Sequence, residues 1–254
     1  LSNGSFTIRT RDDVLENITL TATDGNAKTG TSSSITITNA SGLEAIDHYD
    51  VSVSSPQTAG TAFTITVTAK DSLDNLVLVD STLVKLTDTG SVQFDSNGDG
   101  TFGDRIKPLT NGVLTISARD ILAQSITLTA TDDNLKTGSS STITINPAAI
   151  DHYHVSAASP QTAGALFLTI VTAKDSFDNT VTTDSFTVVT LTGSGSVQFD
   201  SNGDSTFGDT NKTLNSGSFT ISTRDAVAEA ITLTATDGDA KTGSSSSLTI
   251  RPGQ

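Results

Sequence analysis

The sequence predicts an all-β chain built of tandem sandwiches. Three observations predict it. Apolar residues alternate with Ser and Thr at period two along most of the chain. No segment carries a helical period of useful length. And the sequence repeats itself, which decides the architecture before any single element does. Asp47-His48-Tyr49 returns as Asp151-His152-Tyr153, and the run Thr-Ala-Lys-Asp ends first at Asp71 and again at Asp175. The opening from Gly4 to Gly30 matches Gly217 to Gly243. The chain therefore holds the back half of one repeat, residues 1–46, followed by two whole repeats, 47–150 and 151–254.

Within a repeat we letter the strands A to G. Val51 with Val53 marks strand A. In strand B, Phe63, Ile65, Val67 and Ala69 alternate with Thr64, Thr66 and Thr68, the mark of a half-buried strand. Val84 with Leu86 gives C, and Val92 with Phe94 gives D. Leu114, Ile116 and Ala118 form the inward face of E, Ile126 to Thr131 form F, and Thr142 to Ile145 form G. Seven short strands in about 100 residues, with turn signals between them, is the pattern of an antiparallel Ig-like sandwich. The predicted architecture is a rod of tandem seven-stranded Ig-like β-sandwiches.

Three details follow. The connection Asn146-Pro147-Ala148-Ala149-Ile150 is short and carries a proline, so free tumbling of the domains is restricted. Ile46 and Ile150 are expected to pack into the domain that follows each. Residues 1–46 supply only strands E, F and G, and a few strands with an open apolar face are marginal in water. Strands A to D are expected from upstream in a longer protein or from a neighbouring chain. In the second repeat, Leu166, Leu168 and Ile170 fall where the first has outward Ala62, Thr64 and Thr66. A register slip, a bulge or an exposed apolar stripe would each account for this.

The D–E connection carries the chemistry. Asp95-Ser96-Asn97-Gly98-Asp99-Gly100-Thr101-Phe102-Gly103-Asp104 recurs nearly intact from Asp200 to Asp209. Oxygen-bearing side chains at alternate positions suit Ca²⁺, which takes six to eight oxygens. The candidate ligands are Asp95, Asn97, Asp99, the Thr101 carbonyl and a closing Asp104. Their counterparts are Asp200, Asn202, Asp204, Thr206 and Asp209. The match to an EF-hand loop is partial, because Ile106 or Asn211 stands where the bidentate Glu belongs. The same residues also suit a polar hairpin whose Asx turns need no metal. Sandwich topology is expected to bring this loop to the end where the chain enters. Asp47, Asp71, Asp74, Asp132 and Asp133 would lie beside it.

Composition sets bounds. A net charge of -14 argues against nucleic acid and anionic membrane as partners and makes cations the natural counterpart. No apolar run is long enough to span a membrane and no basic apolar leader is present. The chain has no Met, so Leu1 reads as the start of a piece of something longer. Without Cys there is neither a disulfide framework nor a thiol nucleophile. The histidines, His48, His152 and His154, sit on or beside strand A, and no nucleophile elbow or phosphate-cradling loop is present. The reading is non-enzymatic. Asn3, Asn17, Asn39 and Asn211 begin Asn-X-Ser/Thr triplets of the kind that arise by chance in so Ser/Thr-rich a chain. Outward threonine ladders suit ice or glycans, and are also what half-exposed strands prefer.

Thr58 to Asp71 followed by Asp74-Asn75 resembles the start of a bacterial Ig-like (Big-type) repeat. Ile126 to Asp132, then Lys136-Thr137-Gly138 and a serine run, resembles its end. The resemblance covers essentially the whole chain. It implies an extracellular or cell-surface bacterial protein whose sandwiches act as stalk, spacer, fibre segment or adhesin arm, with neighbouring repeats as partners. The long acidic D–E connection departs from the short polar loop of that pattern. In some surface proteins of this kind lysines form amide cross-links, which makes Lys70 and Lys174 remote candidates. A structural spacer is the leading reading, and a calcium-dependent adhesin binding glycan or protein is the alternative.

Overall fold

The period-two alternation resolves into strands wherever a partner strand is in reach. The computed structural model describes residues 3–12, 14, 16–37, 45–79 and 81–253, and no helix occurs among them. The N-terminal half-repeat contributes β1 (Asn17–Ile18), β2 (Thr21–Thr23), β3 (Thr29–Thr31) and β4 (Ile35–Thr36). The next sandwich begins with β5 (His48–Ser52), β6 (Gln57–Thr58), β7 (Phe63–Lys70), β8 (Leu83–Asp88) and β9 (Gln93–Asp95). It continues with β10 (Ile106–Pro108), β11 (Val113–Arg119), β12 (Ser125–Ile126), β13 (Leu128–Asp132), β14 (Thr137–Ser139) and β15 (Ile143–Asn146). The last sandwich repeats this set as β16 (His152–Ala157), β17 (Gln161–Thr162), β18 (Leu166–Lys174), β19 (Val188–Gly193) and β20 (Gln198–Asp200). Its remaining strands are β21 (Asn211–Thr213), β22 (Ser218–Arg224), β23 (Ala230–Ile231), β24 (Leu233–Asp237), β25 (Thr242–Ser244) and β26 (Leu248–Arg251).

The order β5-β7-β11-β9 makes one sheet and β10-β8-β13-β14 the other. These are A-B-E-D facing C-F-G, the Ig-like arrangement. Two features exceed the seven antiparallel strands. The D–E connection contains an eighth strand, β10, paired on the outer edge of β8. It ends in Pro108, which an edge strand tolerates. Also, β6 joins β15 in parallel, as β17 joins β26.

Both cores follow from the alternation. Phe63, Ile65, Val67 and Ala69 of β7 are buried, and meet Leu114, Ile116 and Ala118 of β11 and Leu128 and Ala130 of β13. Each fully buried Val, Leu, Ile or Phe contributes about 1.5–3 kcal/mol. The second core forms around Phe167, Val171, Leu191, Ile221 and Leu233. Ile46 packs against the first core and Ile150 against the second, as expected of them.

Strand B of the second sandwich keeps its register. Phe167 lies opposite Thr223 just as Phe63 lies opposite Ala118. A one-residue slip would turn Phe167, Val171 and Ala173 to solvent. Leu166, Leu168 and Ile170 therefore form the exposed stripe. The cost of that choice is Thr169 inside, where the first sandwich has Ile65. Its hydroxyl bonds that of Thr223 at 2.7 Å, both fully buried.

The half-repeat corrects one expectation. F and G form, with β2 pairing β3 and β1 pairing β4. Strand E does not: residues 6–12 form no strand, and Phe6 and Ile8 are exposed. Its counterpart β11 is hydrogen-bonded between β7 and β9, and the described residues of the half-repeat form a counterpart of neither.

The threonine pair is testable. Thr223→Ala should strand the Thr169 hydroxyl and cost about 1–3 kcal/mol, while Thr169→Ile with Thr223→Ala should restore the loss. Calorimetric melting of the full chain measures both. Equal destabilisation by the single and double variants would contradict the pairing.

Candidate functional site

The acidic loops divide into two groups. At the entering end of each sandwich, the B–C and F–G loops converge on strand A. His48 Nδ1 lies 3.2 Å from Asp47 and Nε2 3.1 Å from Asp74, and Lys136 reaches Asp47 at 3.8 Å. His152, Asp151, Asp178 and Lys241 repeat the arrangement. Beneath it the Tyr49 hydroxyl donates to Asp132 at 2.9 Å, and Tyr153 to Asp237 at 2.8 Å. Burial, and then the carboxylate partner, push both phenols well above their ordinary pKa. Lys70 and Lys174 donate to the Asp74 and Asp178 carbonyls, so they brace the B–C loop.

The D–E loop lies elsewhere, which corrects the expected gathering of three loops. Gln93 pairs with Arg119 at the far end of strand E, and Asp95 with Ser117. After only three residues β9 stops, and the chain crosses to β10 in the opposite sheet. The acidic loop therefore spans the flank of the sandwich. It is pinned there by Phe102 against the Arg119 guanidinium at 4.2 Å, and by Phe207 against Arg224 at 3.9 Å. Each arginine in turn donates Nε to Gln93 or Gln198.

Within the loop the candidate ligands are turned onto backbone N–H groups. Asp95, buried, accepts from Gly98 and Gly100; Asn97 accepts from Asp99; Asp99 accepts from Thr101. Asp200, Asn202 and Asp204 do the same. The Thr101 and Thr206 N–H bonds hold Asp99 and Asp204 below the usual carboxylate range. Carboxylate oxygens of Asp200, Asp204 and Asp209 lie within 4.8 Å of one another. Among the described residues the first loop shows no such group: Asp95, Asp99 and Asp104 are not gathered. There, Arg105 follows Asp104 and places its guanidinium 5.4 Å from the Phe94 ring, where the second loop has Thr210.

The junction between the two sandwiches was not legible as a site. Asn179, in the second sandwich's B–C loop, donates to the Ile121 carbonyl at 2.8 Å and accepts from the Ala123 N–H at 2.9 Å. Asp175, also in that loop, accepts from the linker N–H of Ala148 at 2.9 Å. The Phe177 ring lies against Gly60, where a Cβ would collide with it. The signal is the recurring Asp71-Ser72-Leu73-Asp74-Asn75 and Asp175-Ser176-Phe177-Asp178-Asn179, whose loop ends in the bridging asparagine.

No family model matches the chain, and no curated protein matches it in sequence. Comparison with solved structures does give matches. The chain is similar to the Yersinia pseudotuberculosis adhesin InvE, at 19% identity over 80% of this chain and 58% of that one, with a TM-score of 0.37. It is also similar to the D00-D0 domain of intimin, at 11% identity over 80% and 98%, TM-score 0.44. A glycosyl hydrolase family 2 member from Bacteroides cellulosilyticus gives 14% over 81% and 24%, TM-score 0.37. The chain thus spans 58% of the length of InvE and 24% of that hydrolase. The Ig-like assignment stands on the sheet order itself.

Asp175 makes the junction sensitive to acid. Burial alone would raise its pKa, but bonds from Asn179, Ala148 and Phe177 outweigh it and hold the carboxyl below its ordinary value. A depressed native pKa stabilises fully above the unfolded value of about 3.9 and is lost as pH falls through the native one. The melting temperature should fall below about pH 4, and Asp175→Asn should flatten that fall. An unchanged acid limb in the variant would refute the assignment.

Proposed function

We propose that this chain is a spacer segment of a bacterial cell-surface or secreted protein, in which Ig-like repeats stack end to end as a stalk. The observation that carries the reading is the Asn179 bridge, one side chain of a following sandwich closing onto the backbone of the preceding one. The second sandwich repeats the receiving face. Gly164 N donates to the Asp225 carbonyl as Gly60 N does to that of Asp120, and both contacts are 2.7 Å. Small-angle scattering on the full chain should give an extended particle, and Asn179→Ala should broaden its distance distribution. A compact particle would sink the stalk.

Calcium is the second part of the proposal, and the Asp200, Asp204 and Asp209 group supports it. We place binding first in the second D–E loop, since among the described residues only there are three carboxylates gathered. With ~2 mM free calcium and a dissociation constant of ~0.1 mM, the gain is about 1.8 kcal/mol. That is enough to stiffen a loop and small beside a domain's stability. Titration calorimetry should detect binding that Asp204→Ala removes and Asp99→Ala leaves largely intact. Absence of heat and of any calcium-dependent melting shift would leave both loops as Asx-turn connections.

The alternative, a calcium-dependent adhesin arm binding glycan or protein, is favoured by the exposed Leu166, Leu168 and Ile170 stripe. That stripe lacks the aromatic rings on which sugars stack, so a protein ligand suits it better than a glycan.

A further inference from the structure

The two complete sandwiches fasten the C–D turn to the E–F connection in different ways. In the first, the carboxylate of Asp120, just past β11, is satisfied on both oxygens. Its Oδ1 accepts from the Leu122 N–H and the Ser91 hydroxyl, both at 2.9 Å, and its Oδ2 accepts from the Gln124 amide at 2.7 Å. The same amide nitrogen donates to Ser91 Oγ at 2.9 Å, so turn and connection meet at one point. All of these partners belong to the first sandwich itself. Asn179 docks beside them, on Ile121 and Ala123, and touches none of them.

In the second sandwich the counterparts are Asp225, Ser196 and Glu229. Asp225 is 1% exposed, and its Oδ1 accepts from the Val227 N–H at 2.8 Å, so the carboxyl is turned as that of Asp120 is. Its Oδ2 is buried without a partner. The side chain beside it is now an acid. A Cβ on Gly195 would collide with the Glu229 carboxylate, as one on Gly90 would with the Gln124 amide, so the carboxylate occupies the seat of the amide. Glu229 has a structural role of its own there. Asp88 accepts from the Gly90 and Val92 N–H groups in the first C–D turn, Gly193 stands at that position in the second, and Glu229 Oε1 accepts from the Ser196 N–H at 2.9 Å instead. Asp225 Oδ2 is nonetheless left facing an acceptor where Asp120 faces a donor. Two carboxylates held together away from water are costly without a positive partner. Among the described residues, no Lys or Arg forms an ion pair with either.

We infer that Asp225, Glu229 and Ser196 form a site for a hard divalent cation, seated where the first sandwich has the Gln124 amide nitrogen. Asp225 Oδ2 and Glu229 Oε2 supply the charge. Ser196 Oγ supplies a third oxygen, since its counterpart on Ser91 bonds both the amide and the aspartate. Oxygen donors of this kind suit Ca²⁺, and three of them leave solvent to complete the shell, so binding is weak, roughly millimolar. The site shares no residue with the Asp200, Asp204 and Asp209 group. One sandwich is thus fastened permanently by a glutamine, and the other only when the ion is bound.

The test uses the full chain carrying Asp204→Ala, which disables the D–E loop group. Amide resonances of Ser196 and Val227 are followed as Ca²⁺ is raised to about 10 mM against sodium chloride of equal ionic strength. Both should shift and saturate. Glu229→Gln gives the second sandwich the amide of the first. It should raise the melting temperature without calcium and weaken the calcium response at least about tenfold. Absence of shifts in the Asp204→Ala chain overturns the inference and leaves water or a proton as what Asp225 faces. Shifts that persist undiminished in Glu229→Gln overturn it as well, because the ion then lies elsewhere. The Thr206 amide of the chain with Asp204 intact reads the D–E loop separately, so the failure of one site is told apart from the failure of the other.

Discussion

A buried aspartate at the end of a strand, with its carboxylate turned onto the loop that follows, is the constraint on which the rest of each sandwich depends. Asp71 accepts from Leu73 and Asn75, Asp120 from Leu122, and Asp132 from Asn134 and Lys136. Asp95 accepts from Gly98 and Gly100. Each bond to an ionised acceptor contributes about 1.5–3 kcal/mol, and a buried carboxylate without such donors is costly. Loops tied this way need no large residues of their own, which suits a chain so rich in Ser, Thr, Gly and Asp. Much of the acidity that would call for cations is thereby already answered by the backbone. One departure shows the rule from the other side. Gln124 donates to Asp120, but Glu229 stands in its place beside Asp225 and turns to the Ser196 N–H. The second oxygen of Asp225 is left buried without a partner.

Strands were legible in the sequence because burial of one sheet face imposes period two, and Phe63 to Ala69 display it without interruption. Positions outside that period were less so. Strand β10, Ile-Lys-Pro, is too short to alternate and forms only because the edge of β8 is open to it. The D–E loop was misplaced because a seven-strand reading lets D run on to the entering end, whereas β9 breaks after three residues. In the half-repeat, Phe6 and Ile8 carry a strand pattern and form none, since a pattern states which face would be buried and supplies nothing to bury it. The apolar surplus of Leu166, Leu168 and Ile170 could not be resolved by composition. Pairing to both neighbouring strands fixed it, at the cost of a hydroxyl pair in the core.

The site was legible in part. The spacing of Asp200, Asn202 and Asp204 marked a loop that brings Asp200, Asp204 and Asp209 together, while the first copy, with nearly the same letters, does not gather its three. The copies differ at Gly100/Ser205, Arg105/Thr210 and Ile106/Asn211. The junction was hidden for a different reason. Asn179 acts by bonding backbone groups, and the residues it reads, Ile121 and Ala123, have nothing in their side chains to announce it.

That mode of contact tolerates sequence change at the junction. A side chain that reads a carbonyl and an N–H imposes no identity on the partner, so Ile121-Leu122-Ala123 can become Ala226-Val227-Ala228 while the backbone geometry persists. Val227 N still meets Asp225 at 2.8 Å, as Leu122 N meets Asp120 at 2.9 Å. The ring contact is stricter. Phe177 lies where any Cβ on Gly60 would stand, and Gly60 and Gly164 both hold a left-handed backbone that favours glycine. Repeats of this type are therefore free to drift along most of the docking face, provided that a glycine and a turned aspartate remain to seat the next loop.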